Sequence, residues 1–381
     1  MMKFTILCIP FMRQRGEKVG LAGREPERFQ TMMHKVREQM VFAESLGYNG
    51  FCMTEHHMQV EGIEATTNPI LWDMYVAQAT KTMRVGQLGM NLTAMNPILV
   101  AENIAMLDHM TGGRAFAGFS RGNTARWTAT MGQHIDVTST HSDKSEADRR
   151  NRRALYENWR IVKSLWLDDL TSIEGEFWKM PLPTPWEFNP TKLWAPQQVD
   201  DQGILRRAGI TPRPLQKPHP PVYAPFSYSM ETARFWGAEG GKMVSFVRPE
   251  KDDLMPVVIE QCIGAGQKAG RNPKPKDVLA IGGQLLAGMT PRDEARYWEA
   301  FWELWKLAYD APPYDVPLGR VWKGSRQELQ DHALGLIERW GIDELFLWHH
   351  AGYFGDDIEL GTLQAFAEAV IQPLRKAGKA V

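Results

Sequence analysis

The chain has 381 residues and carries 44 Lys and Arg against 45 Asp and Glu, a formal net charge of −1. So even a balance builds no field for nucleic acid or an anionic membrane. No apolar run approaches the ~18 residues of a membrane span, and the N-terminus lacks the basic-then-apolar order of a signal peptide. Three cysteines, Cys8, Cys52 and Cys262, lie far apart in the chain and read as buried thiols of a reducing compartment, so the expectation is a cytoplasmic protein. Fourteen Trp and 20 Met suit a core that includes an apolar ligand pocket with adaptable walls.

Taken in order, Lys3 to Ile9 is a β-branched run closed by Pro10, which predicts a buried first strand. Phe11 to Arg24 is a basic loop. Glu27 to Leu46 has apolar residues at helical spacing and stops at Gly47, a C-cap residue. A second strand then runs through Phe51 and ends in Glu55, His56 and His57. Neutral imidazole is the side chain best suited to moving protons near pH 7. Asn68-Pro69 opens a helix to about Thr82, Met83 to Leu92 is a third strand carrying two glycines, and Asn96-Pro97 opens a helix to Met110. Thr111-Gly112-Gly113 turns the chain into a fourth strand that breaks off at Ser120-Arg121-Gly122.

A charged helix is expected from about Ser145 to Leu167, with Ser145 and Asp148 spaced as a capping box. Residues 168–220 are rich in Pro and Trp and show little periodicity, as a lid or substrate loop would. Further strands follow at Pro221 to Phe226, Lys242 to Val247, Asp277 to Leu286 and Glu344 to Trp348. Helices between and after them are expected from Ser229, at 251–268, at 291–307, at 325–340 and at about 358–376. Eight strands with intervening helices, each crossover long enough only for parallel pairing, favour a closed α/β (β/α)8 barrel over an open sheet.

Several constellations compete for chemistry. GAGQKAG at 264–270 is a cousin of the dinucleotide fingerprint but ends a helix instead of opening one. Neither a Walker A sequence nor HExxH is present. A metal held by Glu55, His56 and His57 needs the strand to have ended, because adjacent side chains on an extended chain face opposite ways. Ser229 and Thr232 lie where a strand gives way to a helix, with free N–H groups and the positive end of a helix dipole, and suit a phosphate as well as a plain N-cap. Arg121 can add a charge-assisted bond to such a phosphate or simply form a surface salt bridge.

Together these pieces resemble the bacterial luciferase family of flavin-dependent monooxygenases over nearly the whole chain. The resemblance rests on FxxxEHH (Phe51 to His57), VGxxxxxLxxxxP (Val85 to Pro97), LDxMTGGR (Leu107 to Arg114) and GFSRG (Gly118 to Gly122). It continues through Arg153-Ala154-Leu155 and PVY (Pro221 to Tyr223) to SxxT and GAEGG. The FSYS run and the Trp/Pro-rich insert look most like the diketocamphane and limonene monooxygenase branch. The resemblance implies one luciferase-like TIM barrel over 1–381, with a long insertion and lid at 168–220 after the fourth helix, in a homodimer. It further implies reduced FMN (FMNH2) delivered by a separate NAD(P)H:flavin reductase, with O2 captured as a C4a-hydroperoxyflavin that oxygenates a small apolar substrate.

Carried over by position, the family's catalytic histidine falls on His56, with Glu55 and His57 beside it. Glu55 or a backbone carbonyl is expected to fix the His56 tautomer. Phosphate-binding positions fall on Arg121, Tyr228, Ser229 and Thr232, and a non-proline cis peptide on Leu88–Gly89. Two departures stand out: Ser120 replaces a reactive cysteine, and Tyr228 replaces an acidic residue. Phe11, Met12, Trp178, Trp186 and Trp348 are the expected pocket walls. The rival readings are an F420-dependent oxidoreductase of the same superfamily, a flavin-binding protein without turnover, and a metal-dependent barrel hydrolase.

Overall fold

The computed structural model describes every residue except Asn123, His141, 227–228, Arg248, 311–317 and Val381. The chain forms two compact units, one of residues 1–90, 116–119 and 221–381, the other of 91–115 and 120–220.

The first unit is a closed barrel. Its strands are β1 (Lys3–Pro10), β2 (Gly50–Met53), β3 (Arg84–Gln87), β4 (Ala115–Ser120), β5 (Val222–Phe226), β6 (Lys242–Ser245), β7 (Leu279–Leu285) and β8 (Glu344–Ala351). They neighbour one another in chain order, and β8 returns to β1 to close the ring. Helices α1 (Pro26–Leu46) and α2 (Pro69–Ala77) make the first two crossovers. Asn68 caps α2 through its side chain with Pro69 at the first helical position, and Gly47 ends α1 in the left-handed conformation at φ 104. Close strand packing explains the glycines at 86 and 118. A Cβ on Gly118 would land on the Gln87 carbonyl oxygen, and one on Gly86 on the Phe116 carbonyl oxygen.

The barrel interior is layered. At its N-terminal end the Glu344 carboxylate, fully buried, accepts from Tyr223 Oη at 2.9 Å, Lys242 Nζ at 3.2 Å, Arg84 Nη1 at 3.3 Å and Thr5 Oγ1 at 3.3 Å. Above it Phe116, Tyr223 and Phe346 pack edge-to-face, with centroids 5.2 to 6.5 Å apart. Both layers are packed core, so the chemistry is left to the C-terminal rim.

Several boundaries differ from the sequence expectation: β2 ends at Met53, before Glu55, and α2 ends at Ala77. The eighth strand continues past Trp348 to Ala351, because Leu7 to Pro10 of β1 pair with Trp348 to Ala351. His349 and His350 therefore lie inside a strand and not beyond it. The third strand stops at Gln87, where the backbone turns at the cis Leu88–Gly89 bond. The final helix starts at Asp356 and is interrupted by a π-type segment at Ala367–Ile371.

In the second unit α3 (Pro97–Met110) packs against the long α4 (Glu146–Leu167). Ser145 caps α4 by accepting from Asp148 N at 3.1 Å. Trp166 Nε1 donates to Ala101 O, and Asn158 Nδ2 to Leu92 O. The 168–220 segment is more ordered than its composition predicts. It forms a hairpin, Ile173–Glu174 with Lys179–Met180, and a short helix, Asn189–Trp194. Glu157 of α4 ties the hairpin loop down by accepting the amides of Glu176, Phe177 and Trp178 at 2.8 to 3.0 Å.

Candidate active site

Strand β2 ends at Met53, and the next residues carry the polar cluster at the barrel rim. His56 is buried, with its side chain only 5% exposed. Its Nδ1 lies 3.2 Å from Thr54 Oγ1, 3.2 Å from Thr66 Oγ1 and 3.4 Å from Glu64 Oε2. Burial pushes the His56 pKa below the ordinary histidine value, against the opposing pull of Glu64 and Glu55. At neutral pH this imidazole is uncharged and available to take up a proton.

A second carboxylate joins the cluster. Glu55 Oε1 lies 3.0 Å from Nε2 of His57, whose side chain is 21% exposed. Two carboxylate–imidazole pairs therefore sit side by side, His56 with Glu64 and His57 with Glu55. Glu64 was missed because nothing in its immediate sequence marks it. It reaches His56 only because the 58–66 loop folds back, with Ala65 N donating to Pro10 O and Met12 N to Gly62 O.

In the same unit the Leu88–Gly89 peptide is cis. Leu88 is buried and its amide donates to Met53 O at 2.7 Å, which ties this turn to the end of β2. Gly89 lies against the next strand, where a Cβ would sit 3.0 Å from backbone atoms of Phe119. Helix α5 (Met230–Glu239) opens at Ser229, whose Oγ accepts from Thr232 N at 3.3 Å. Ser229 is thus an N-cap that retains its own O–H, at the positive end of a ten-residue helix. Tyr228, expected beside it, lies outside the described residues. In the second unit Arg121 is 15% exposed and engaged, with Nη1 2.6 Å from Asp148 Oδ1 and Nη2 donating to Ser142 Oγ at 2.8 Å. Burial alone would raise the Asp148 pKa, but Arg121 and the Thr140 hydroxyl hold it below the usual carboxylate value.

The expected pocket walls separate by unit. Phe11 and Trp348 meet at the barrel rim around His350, with ring centroids 5.6 and 5.7 Å from the imidazole. Helix α6 (Pro291–Ala308) and the residue after it complete this aromatic box with Phe301 and Tyr309. Met12 is buried beside Phe11 in the chain. His350 is a second residue that the sequence reading passed over. Burial lowers its pKa to about 3, and among the described residues its Nε2 has no hydrogen-bond partner. Trp178 and Trp186 belong to the second unit. Trp178 lines an apolar cavity of about 560 Å³ with Ile98, Phe177, Met180, Leu182 and Leu205, whereas Trp186 stacks edge-on against Phe188.

The structure thus has a buried imidazole three residues past the end of β2 and a non-proline cis peptide tied to that same strand end. The family model described as luciferase-like monooxygenase matches residues 2–340. The chain belongs to the luciferase-like monooxygenase family. Among its relatives is limonene 1,2-monooxygenase of Rhodococcus erythropolis, 29% identical over 30% of this chain and 29% of that one. The curated relatives it matches are covered over 23% to 56% of their own lengths. Among solved structures, the oxygenating constituent of 3,6-diketocamphane monooxygenase from Pseudomonas putida, in complex with FMN, superposes at TM-score 0.67. It is 18% identical over 96% of each chain. An F420-dependent secondary alcohol dehydrogenase superposes at TM-score 0.63, with 15% identity over 97% of this chain and 98% of that one. At these identities the structures establish the luciferase-like barrel fold; one is solved with FMN and the other with an F420-acetone adduct.

Proposed function

We propose that this luciferase-like protein is the oxygenase component of a two-component monooxygenase. It receives reduced FMN from a separate NAD(P)H:flavin reductase and uses O2 to oxygenate a small apolar substrate of the terpene, cyclic ketone or aromatic class. The observation that carries the reading is the buried His56 past the end of β2, with Glu64, Thr54 and Thr66 around its Nδ1. Either oxygen transfer or hydride transfer can use such a proton acceptor; oxygen transfer is favoured because limonene 1,2-monooxygenase and a flavin-dependent trigonelline monooxygenase oxygenase component are among the relatives.

The donor set fits a phosphate monoester: Ser229 and Thr232 offer hydroxyls at the start of α5, where amide N–H groups and the helix dipole favour an anion. Reduced FMN, when bound, supplies the electrons that activate O2. The chain's own contribution is to hold that phosphate, to keep the rim dry and to move a proton through His56.

The test has two arms. Tryptophan fluorescence should be quenched saturably by reduced FMN and not by reduced F420. With reduced FMN and ¹⁸O2, label should enter one member of a panel of cyclic ketones, terpenes and phenols. Preference for F420, or label recovered only in hydrogen peroxide and water across the panel, contradicts the reading.

A further inference from the structure

We infer that Glu64 is the positioning residue of His56: its carboxylate holds the imidazole proton on Nδ1 and leaves Nε2 as the basic nitrogen. The inference rests on the reading that His56 handles the proton, but its first test does not.

The argument is one of donors and acceptors. An ionised carboxylate only accepts hydrogen bonds, whereas a hydroxyl does either. Three oxygens surround His56 Nδ1: Glu64 Oε2 at 3.4 Å, Thr54 Oγ1 at 3.2 Å and Thr66 Oγ1 at 3.2 Å. The two hydroxyls tolerate either ring tautomer. The carboxylate does not, because an unprotonated Nδ1 would set a lone pair against the lone pairs of Oε2. Both side chains are buried, 5% and 3% exposed, so water does not screen that preference. Glu64 therefore decides between two tautomers that are nearly equal in energy in free imidazole.

The surrounding chain is built to deliver this carboxylate. Glu64 sits at φ 47, in the left-handed region that side chains other than Gly and Asn seldom adopt. Its carbonyl accepts from Thr66 N at 2.7 Å, and the Thr66 carbonyl accepts from His56 N at 3.4 Å. The loop thus returns to the histidine by its backbone as well as by its side chain. Gln59 Nε2 donates to the same Oε2 at 3.2 Å and helps fix the carboxylate rotamer. Glu55, the nearer carboxylate in sequence, pairs with Nε2 of His57. The arrangement follows the general rule that a proton-handling histidine is oriented through its second nitrogen.

The experiment is ¹⁵N-histidine NMR of the full chain without cofactor, with His56 assigned by comparison with His56→Gln. The wild type should show the Nδ1–H tautomer. Glu64→Gln presents an amide donor to Nδ1 and should switch the ring to Nε2–H, while Glu64→Asp should retain Nδ1–H. In turnover, loss of the carboxylate that favours imidazolium should move the acid limb of kcat/KM downward by roughly one pH unit. An Nε2–H tautomer in the wild type, or the same tautomer in Glu64→Gln and wild type, overturns the inference. If Glu64→Gln does not fold, a wild-type spectrum with Nε2–H suffices to refute it. Should Nδ1–H depend on Glu64 while His56→Ala leaves product formation intact, the pairing stands and the proposed function of His56 falls.

Discussion

Glu55 Oε1 lies 3.0 Å from His57 Nε2, so the carboxylate that leads the EHH run serves the second histidine and not the first. The side chains of Glu55 and His57 are 2% and 21% exposed, which makes this a half-solvated support beside the buried His56. His57→Ala removes one partner of a buried carboxylate and should lower stability by about 1–2 kcal/mol in urea unfolding. Flavin affinity and coupling should survive it. His56→Ala should do the opposite, keeping flavin affinity while product formation per reduced flavin collapses. Equal coupling losses in the two variants would show that the pairs cannot be assigned separate roles.

Glu344 anchors the closed end of the barrel. Burial pushes its pKa up, but Lys242, Arg84 and Lys3 together bring it below the ordinary carboxylate value. A group depressed on folding stabilises above its unfolded pKa and loses that contribution as pH falls through its folded pKa. Glu344→Ala leaves Arg84 and Lys242 without their shared anion and should cost about 3–5 kcal/mol. In guanidinium melts, the gap between wild type and Glu344→Gln should stay constant from pH 8 to about 5 and shrink below that. A gap that widens on acidification would contradict the assignment.

His350 gives a pH effect of its own. Burial first, and His349 second, lower its pKa to about 3, so the folded state binds fewer protons than the unfolded chain below the ordinary histidine value. Its contribution is fully present above about pH 6.5 and declines as pH falls toward 3. His350→Phe keeps a ring in the aromatic box and removes a buried nitrogen that lacks a hydrogen bond. Relative to wild type, it should gain up to about 1.4 kcal/mol per pH unit on acidification from 6 to 4. Parallel stability curves would mean that His350 titrates normally.

Gly118 is set by its neighbour. A methyl group there would occupy the place of the Gln87 carbonyl oxygen, a backbone atom that cannot turn aside. Gly118→Ala should therefore separate β3 from β4 and yield insoluble protein or a loss of about 3 kcal/mol or more. Unchanged thermal unfolding would show that the two strands do not approach as closely as Gly118 and the Gln87 carbonyl do here.

The barrel was readable from the sequence because alternation of apolar strands with capped helices is written locally. Asn68-Pro69, Asn96-Pro97 and Ser229 each mark a helix start that the structure reproduces. His56 was readable because it follows closely on the end of a strand, three residues past Met53. Glu64 was not, since its pairing depends on a loop that folds back by hydrogen bonds to Pro10 and Met12, residues more than 50 positions away in the chain. The continuation of β8 through His349 and His350 was equally hidden. Polar residues read as a strand end, yet Gln39 accepts from His349 Nε2 at 2.9 Å and aromatic rings enclose His350. Tertiary partners, absent from local pattern, decide such cases.

The central claim is that the start of α5 grips the phosphate of a reduced flavin. Anaerobic titration of the wild type and of Ser229→Ala/Thr232→Ala with reduced FMN measures it directly. The account predicts saturable binding in the wild type and an affinity weaker by ~10-fold or more in the variant, about one hydrogen bond lost per hydroxyl. A wild type that does not bind reduced FMN, or a variant that binds it equally well, contradicts it.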